Sequence, residues 1–231
     1  QTGNVFTNCH VSDSTVTASK VSSEHASPYA GGIIGRAAGA TVTLQYSSAV
    51  DVTVTSYVEG FAGNLVGGPA ANWVNLPVML VSGVNKSYYG TIQAAVNAAV
   101  AGDTINVAPG EYVEVGQIVI DKNLTIVGAD KATTIIKPAQ NTGSSGDARG
   151  WWLVQTGVQF NLSNATLDGA YKLVSIGIPS HGTGTIENYI IKNIGYNPSG
   201  PDYAGRGIAF YDANMTIKNN LLQNIGRIGI Y

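Results

Sequence analysis

Charged residues are scarce in this sequence. Only 11% of the 231 residues are Asp, Glu, Lys or Arg, against about 25% in an average globular protein. The 12 basic and 14 acidic residues give a formal net charge of −2, so no basic stripe is available to neutralise a nucleic acid backbone. Hydrophobic residues make up 44%, which excludes disorder, because disordered chains combine low hydrophobicity with high net charge.

Cysteine and long apolar runs are lacking too. A single cysteine, Cys9, excludes an internal disulfide. Gly, Asn or Ser interrupts each apolar stretch well before the ~20 residues that a membrane-spanning helix needs, so we expect no membrane span. The three histidines, His10, His25 and His181, lie far apart without metal-ligand spacing. We therefore expect no metal and no cofactor; Ca²⁺ stays open as an alternative that no acidic cluster supports.

Glycine, by contrast, is abundant, with 29 residues, and it stands with Ser, Thr and Asn between short apolar runs. In one such run Val50, Val52 and Val54 alternate with polar residues, which is the pattern of a strand with one buried face. Glycine and asparagine mark tight turns between strands. This combination predicts an all-β fold.

The first eighty residues contain an internal repeat. VFTNCHVSDSTVTAS from Val5 aligns with VTLQYSSAVDVTVTS from Val42 at an offset of 37, and AGGIIG from Ala30 aligns with AGNLVG from Ala62 at an offset of 32. The cores GGIIG and GNLVG resemble the GLUG repeat of bacterial and archaeal cell-surface proteins, a family without common catalytic residues. We predict a GLUG-like β-repeat region of two repeats over residues 1–82.

One helix is predicted after this region. TIQAAVNAAVAGD from Thr91 places apolar residues at i, i+3, i+4, i+7 and i+8, which is the stripe of an amphipathic helix. We predict a helix over about 91–101, with Thr91 as N-cap and Gly102 as the C-terminal stop. Only short strand-like runs follow, so the helix is expected to cap a stack of β coils, whose first coil would otherwise expose its interior and strand edges.

Asparagine recurs at one place in these runs. Aligning the pattern Asn-Xaa-Xaa-apolar superimposes four residues at spacings of 41, 24 and 31: Asn123, Asn164, Asn188 and Asn219. Asparagine tolerates left-handed backbone, and its amide can bond to the coil above. We therefore predict a structural asparagine ladder at a coil corner. Spacings longer than 24 predict loops inserted into two of the coils.

The stretch TIQAAVNAAVAGDTINVAPGEYVEVGQIVIDKNLTIVGAD resembles the opening of right-handed parallel β-helix proteins of the pectin-lyase-like superfamily, and the resemblance covers residues 89–231. It implies a β-solenoid, a right-handed parallel β-helix over 83–231, which we expect to continue beyond this segment in a longer chain. The superfamily includes pectate and alginate lyases, polygalacturonases, phage tailspikes, adhesins and surface proteins without enzyme activity. The resemblance therefore implies a fold and leaves the function open.

The two inserted loops, AQNTGSSGDARGWW and GYNPSGPDYAGRG, are the expected place for a site. Both rejoin the coil at nearly the same corner, so they should project from one side, ~10 Å apart. Carboxylates and guanidinium groups beside aromatic rings suit a sugar. The candidate glycan-contact or active-site residues are Asp147, Arg149, Trp151, Trp152, Tyr196, Asp202, Tyr203 and Arg206. Alternatively, Asp147 with Arg149 and Asp202 with Arg206 are ion pairs within their own loops, and the aromatic rings cover the ends of coils.

Modification is a further possibility. Asn-Xaa-Ser/Thr sequons, which are possible N-glycosylation sites if the source organism glycosylates exported proteins, stand at Asn85, Asn123, Asn161, Asn164 and Asn214.

The leading expectation is an extracellular or cell-surface structural or adhesive protein, such as a surface-layer, sheath, stalk or adhesin component. Its expected partner is a polysaccharide or cell-surface glycan, further copies of itself, or the rest of a longer chain. A polysaccharide lyase or glycoside hydrolase of the β-helix type and a non-catalytic carbohydrate-binding module stay open as alternatives. We favour a protein without enzyme activity, because the sequence shows neither the acidic calcium cluster of a pectate lyase nor the paired aspartates of a polygalacturonase.

Overall fold

The structure is a computed structural model. It describes residues 4–12, 15–18, 30–31, 42–45, 48–50, 53–56, 62–63, 73–196, 204–211 and 213–231. Within these ranges the regular elements are strands, apart from one short α-helix and one 3₁₀ turn. The predicted all-β fold is confirmed.

In the part of the chain that the structure describes, nine short strands precede residue 77. They are β1 (Asn4–Thr7), β2 (His10–Ser12), β3 (Thr15–Ala18), β4 (Ala30–Gly31), β5 (Val42–Gln45), β6 (Ser48–Val50), β7 (Thr53–Ser56), β8 (Ala62–Gly63) and β9 (Trp73–Leu76). They pair in parallel, β1 with β5 and β5 with β9, and likewise β2 with β6, β3 with β7 and β4 with β8. The internal repeat is therefore a stacking of strands.

The register corrects the first repeat offset by one residue. Thr15 pairs with Thr53, an offset of 38 rather than 37. Ala30 pairs with Ala62, an offset of 32, as predicted. The difference matters because a shift of one residue moves every side chain of a strand to its other face.

A hairpin opens the second part of the chain. β10 (Val78–Ser82) and β11 (Asn85–Tyr89) are antiparallel, and β10 also pairs antiparallel with β12 (Asp103–Val107), the first strand of the coils. The boundary predicted between residues 82 and 83 falls inside this hairpin. Backbone hydrogen bonds between β10 and β12 join this hairpin to the first coil.

The predicted capping helix is α1 (Ile92–Ala98), which is shorter than 91–101. Thr91 is its N-cap, as predicted, and its hydroxyl accepts a hydrogen bond from the Ala94 amide at 3.1 Å. The helix stops before Gly102 because Ala99 already adopts an extended backbone, with φ −68° and ψ 154°. Ile92, Ala95 and Val96 on its apolar stripe are buried against the first coil.

Five coils follow, each with three strands. They comprise β12, β13 (Gly110–Glu114) and β14 (Ile118–Ile120); β15 (Leu124–Gly128), β16 (Thr134–Pro138) and β17 (Trp152–Val154); β18 (Gln159–Ser163), β19 (Thr166–Asp168) and β20 (Ile176–Ser180); β21 (Thr183–Glu187), β22 (Ile190–Ile194) and β23 (Arg206–Phe210); and β24 (Met215–Lys218), β25 (Leu221–Ile225) and β26 (Ile228–Ile230). The first, second and third strands of successive coils stack in parallel into sheets that we call sheet 1, sheet 2 and sheet 3.

Apolar residues form columns inside the stack. In sheet 1, Ile105 pairs with Ile126, Ile126 with Leu162, and Leu162 with Ile186, and all four are buried. The neighbours of each residue along its strand point away from the interior. Burial of one such side chain contributes roughly 1.5–3 kcal/mol, so columns of this kind offset the entropy cost of ordering the coils.

Asparagines hold the corner between sheet 1 and sheet 2. Asn164, Asn188 and Asn219 follow the strands of three successive coils with φ of 59°, 51° and 57°. The side-chain Nδ2 of Asn188 donates a hydrogen bond to Oδ1 of Asn164 at 2.6 Å. This left-handed backbone explains why asparagine, with its low steric cost there, recurs at this corner.

The structure contradicts the placement of Asn123 in this ladder. The pairing of Leu124 with Phe160 puts Asn123 opposite Gln159, ahead of the strand and not after it, and its Oδ1 accepts a hydrogen bond from the Gln159 amide at 2.8 Å. Gly128 occupies the ladder position in the second coil. A Cβ atom there would lie 2.3 Å from the Asn164 carbonyl oxygen, so no side chain fits.

A second asparagine ladder, which the pattern Asn-Xaa-Xaa-apolar does not predict, lies at the end of the sheet 2 strands. Asn193 and Asn224 have φ of 55° and 52°. The side-chain Nδ2 of Asn224 donates to Asn193 Oδ1 at 3.1 Å, and the side-chain Nδ2 of Asn193 donates to Asp168 Oδ1 at 2.9 Å. The sequence signal is an asparagine five residues after Asn188 and again five after Asn219.

Candidate functional site

The long connections leave the coils at one corner, between sheet 2 and sheet 3. The connection there is 115–117 in the first coil, 139–151 in the second, 169–175 in the third, 195–205 in the fourth and 226–227 in the fifth. Both inserted loops therefore belong to this corner, two coils apart, with the 169–175 loop between them. Of the fourth connection, residues 197–203 lie outside those described, so Asp202 and Tyr203 do too.

Hydrogen bonds order the loop of the second coil. Its 3₁₀ turn covers Gly146–Arg149. The Gly143 amide donates to the Ala148 carbonyl at 2.8 Å, and Arg149 Nε donates to the Gly146 carbonyl at 2.8 Å. Gln117 of the coil below donates from Nε2 to the carbonyls of Asp147 and Gly150. The Arg149 side chain thus helps to hold its own loop.

The two tryptophans after this loop are not at the surface. Trp152 is 0% exposed and lies in the interior, its ring centroid 6.4 Å from that of Phe160. Trp151 is 1% exposed beneath the loop. The prediction of two exposed rings for a glycan is therefore wrong, because consecutive residues of the strand that enters sheet 3 are both covered, one by the interior and one by the loop.

Asp147 and Arg149 line a narrow crevice along sheet 3. Its volume is about 10 Å³, room for about one water molecule. Leu153, Ile176 and Pro179 supply its apolar wall, together with His181 and Tyr211. The last two residues were not among the candidates, although both are capable of polar contact with a ligand at the edge of the crevice.

Aromatic side chains continue from this crevice across three coils. The rings of His181 and Tyr211 are stacked, 5.2 Å apart at 21°, and the rings of Tyr211 and Tyr231 are 6.3 Å apart at 53°. The pairing of Ser180 with Phe210 sets His181 opposite Tyr211. We call His181, Tyr211 and Tyr231 the aromatic row; Tyr231 is 53% exposed.

Arg206 lies against this row. It is the first residue of β23 and is 7% exposed, and its guanidinium carbon stands 3.6 Å from the centroid of the Tyr231 ring. One terminal nitrogen lies 3.5 Å from the Tyr211 hydroxyl, while Nε is buried without a hydrogen-bond partner among the described residues. A cation over an aromatic face is stabilised by about 0.5–2 kcal/mol, which favours this covered position.

Tyr196 lies elsewhere. It lines a shallow depression together with Tyr171, Leu173 and Asn224. Tyr171 is 68% exposed and has φ of 55°, next to Ala170 with φ of 49°. The structure therefore brings Asp147 and Arg149 to one crevice and Arg206 to the adjoining aromatic row, and it leaves Tyr196 apart from both.

The five sequons differ in their surroundings. Asn85 and Asn214 are exposed. Asn161 is half-buried and bonds to Thr125 and Thr185, and Asn164 belongs to the asparagine ladder. Asn123 is exposed, with its oxygen bonded to the next coil. Attachment of a glycan is thus sterically simplest at Asn85 and Asn214.

Within the described ranges, no three His, Cys, Asp or Glu side chains come together in a way that could hold a metal ion. Nor does any helix in the same ranges have the length and hydrophobicity to cross a membrane.

Three stacked parallel sheets, five coils and loops inserted at one corner define a parallel β-helix protein. Residues 80–231 match the model of the family described as "Protein of unknown function (DUF1565)". Since this match covers more than half of the chain, the protein belongs to that family. No curated protein and no solved structure shows significant similarity to it.

Proposed function

We propose that this chain belongs to an extracellular cell-surface protein with a structural or adhesive role, and that it contacts glycans through the aromatic row. The observation that carries the proposal is the alignment of His181, Tyr211 and Tyr231 over three successive coils, with ring separations of 5.2 and 6.3 Å. A run of rings along one axis suits an extended chain of sugar units better than it suits a compact ligand.

The chemistry of the row supports sugar contact. The aromatic rings offer apolar area for a pyranose ring, and the Tyr211 and Tyr231 hydroxyls can both donate and accept hydrogen bonds. Asp147 and Arg149 at the neighbouring crevice add a carboxylate and a guanidinium for sugar hydroxyls. β20 and β23, the strands that precede His181 and Tyr211, are paired with a neighbour on both sides, so little conformational entropy is lost there on binding.

Related proposals concern the families of the two parts of the chain and its partners. We propose that residues 1–82 are GLUG-like repeats and that the β-helix is right-handed and related to the pectin-lyase-like superfamily. The glycine-rich cores GGIIG and GNLVG and the parallel pairing of β4 with β8 support the first proposal. The arrangement of three parallel sheets supports the second. Further copies of the chain, or the rest of a longer chain, are the other proposed partners.

The test uses the purified chain and a panel of immobilised neutral and acidic polysaccharides. We expect retention on at least one of them, weakened about tenfold or more in Tyr211→Ala, since one aromatic contact contributes roughly 1.5 kcal/mol or more. Tyr88→Ala, in the β10–β11 hairpin, is the matched control and should leave retention unchanged. No retention by the wild type, or equal retention by Tyr211→Ala, contradicts the proposal.

The same incubations separate binding from catalysis. New reducing ends or unsaturated products would replace the proposal with a β-helix lyase or hydrolase. Retention without products, together with surface labelling of source cells by an antibody to the chain, would support the cell-surface role. Retention without surface labelling would favour a carbohydrate-binding module of another secreted protein.

A further inference from the structure

A cleft of about 210 Å³ lies on the other side of the loop from the crevice, between the first and second coils. The connection 115–117 of the first coil is short, whereas 139–151 of the second is long, so the longer loop overhangs the shorter one. Gly150 lines both the cleft and the crevice. The loop is therefore a wall between two separate cavities.

The lining of the cleft is mostly apolar, with several polar groups and no charged residue among those described. Gln117, Gln140 and Asn141 supply amide groups, Thr142 supplies a hydroxyl, and Pro138 and Trp151 supply apolar wall. Each amide carries both donors and acceptors. None of the described residues that line this cleft carries a charge. An ionised ligand would thus lose its hydration without gaining a counter-charge.

Existing hydrogen bonds fix the walls in place. Asn141 Oδ1 accepts from the Leu173 amide at 3.0 Å, Thr142 Oγ1 accepts from the Ser175 amide at 2.8 Å, and the Thr142 amide donates to the Leu173 carbonyl at 3.1 Å. Gln117 Nε2 is used by the loop. Among the described residues these bonds do not engage Gln117 Oε1, Asn141 Nδ2 or the Gln140 amide, so both donors and acceptors remain for a ligand.

We propose that this cleft binds one neutral, hydroxyl-rich sugar residue. The volume suits a single ring, the mixed donors and acceptors suit vicinal hydroxyls, and the lack of charge along the lining selects against uronates and sulfate esters. The inference deepens the proposed glycan function and rests on it for its biological meaning. It adds a second subsite with its own residues, because the aromatic row does not line the cleft.

The experiment titrates the full chain with methyl glycosides of glucose, galactose and mannose and with methyl glucuronide, and it follows saturation transfer by NMR. We expect at least one neutral glycoside to bind with a millimolar Kd and more tightly than the glucuronide. Ala148→Phe fills the cleft and should abolish the transfer. Gln140→Ala, at an exposed position that does not disturb folding, should weaken binding about fivefold through one lost hydrogen bond.

Gln159→Ala is the matched control, since Gln159 is an exposed glutamine on sheet 1 outside the cleft. It should bind like the wild type. The proposal is overturned if no neutral glycoside binds, if the glucuronide binds as tightly, or if Ala148→Phe and Gln140→Ala both bind normally. If polysaccharide retention depends on Tyr211 but no glycoside binds, the proposal for the aromatic row holds and the proposal for the cleft fails. If a glycoside binds but no polysaccharide is retained, the proposal for the cleft holds and the proposal for the aromatic row fails.

Discussion

Tyr189 places a hydroxyl group in the apolar interior of the coils. The residue is 0% exposed, and its oxygen has no hydrogen-bond partner among the described residues. Burial raises the pKa of this hydroxyl well above its usual range. A buried polar group without a partner costs about 1–3 kcal/mol of desolvation, so this hydroxyl group lowers the stability of the stack.

Tyr189→Phe should therefore stabilise the protein, by about 1 kcal/mol in the free energy of unfolding measured with urea. Tyr112→Phe is the control, since the Tyr112 hydroxyl donates to the Ala108 carbonyl at 2.6 Å and its loss should cost about 1 kcal/mol. A destabilised Tyr189→Phe variant would show that the hydroxyl makes a stabilising bond after all.

The raised pKa also gives this prediction a pH dependence. The Tyr189 phenol stays neutral in the folded chain but ionises in the unfolded chain above pH ~10. The difference in ionisation leaves the free energy of unfolding unchanged below that pH and lowers it as the pH rises further. In the Tyr189→Phe variant, the free energy of unfolding should fall less steeply between pH 10 and 11 than in the wild type.

Some residue positions could be predicted from the sequence alone, and others depend on the register of the coils. The left-handed corner at Asn164, Asn188 and Asn219 was predictable, because few other residues tolerate that backbone. Asn123 was misplaced because the pattern Asn-Xaa-Xaa-apolar occurs both before and after a strand, and the long loop of the second coil hides the register. The aromatic row was out of reach, because His181 and Tyr211 become neighbours only once the length of every connection is known.

At the scale of elements, one carboxylate joins α1 to the first coil. Glu114, at the end of β13, is 2% exposed. Its Oε1 accepts a hydrogen bond from the Ile92 amide at 2.7 Å and its Oε2 one from the Gln93 amide at 3.2 Å. Both amides belong to the first turn of the helix, where a negative charge is favourable and free N–H groups need partners.

Glu114→Gln should detach this end of the helix in part. The amide keeps one acceptor but loses the charge, so we expect a loss of about 1–2 kcal/mol in the free energy of unfolding and faster hydrogen exchange at the amides of Ile92 and Gln93. Glu111→Gln is the control, because its ion pair with Lys137 is partly exposed to solvent and contributes about 0–1 kcal/mol. Equal losses in the two variants would contradict the capping role.

Some bounds of the secondary-structure elements could be predicted from the sequence, and others could not. The start of α1 was predictable from Thr91, because the capping hydrogen bond is local. Its end was not, because Ala99 leaves the helix without a glycine or proline to mark the place. The β10–β11 hairpin was missed because only its pairing with β12 reveals that it covers the first coil.

At the scale of the whole molecule, the three corners of the coil differ in their tolerance of change. The corner between sheet 2 and sheet 3 carries every long connection. The corner between sheet 1 and sheet 2 passes from β21 to β22 through Asn188 and Tyr189 alone. Extra residues at the corner between sheet 2 and sheet 3 only lengthen a loop. Extra residues at the corner between sheet 1 and sheet 2 move the ladder asparagines and the interior residues away from their partners in the neighbouring coils.

A four-residue insertion, Gly-Ser-Gly-Ser, between the exposed residues Ser144 and Ser145 should therefore lower the free energy of unfolding by less than ~1 kcal/mol, because the entropy cost of closing a loop grows slowly with its length. The same insertion between Asn188 and Tyr189 should cost several kcal/mol, since it removes the Asn188–Asn164 bond and shifts Tyr189 out of the interior. Melting temperatures of the two variants decide. Similar losses would show that the corners are equivalent.

The parallel stack of coils was predictable from short apolar runs and one bare repeat of 24 residues, which is the spacing between Asn164 and Asn188. The register of the whole stack was not, because coil offsets of 21, 36, 24 and 31 residues obscure the periodicity.

The single corner for all long connections makes the molecule a natural display scaffold. The strands that bound the loops of the second, third and fourth coils lie side by side at steps of ~4.8 Å, the distance between neighbouring strands. Sequence variation in one loop can proceed without altering its neighbours, because the strands beneath set the spacing. New recognition surfaces can thus be assembled coil by coil on an unchanged frame, much as binding loops are exchanged on an antibody framework.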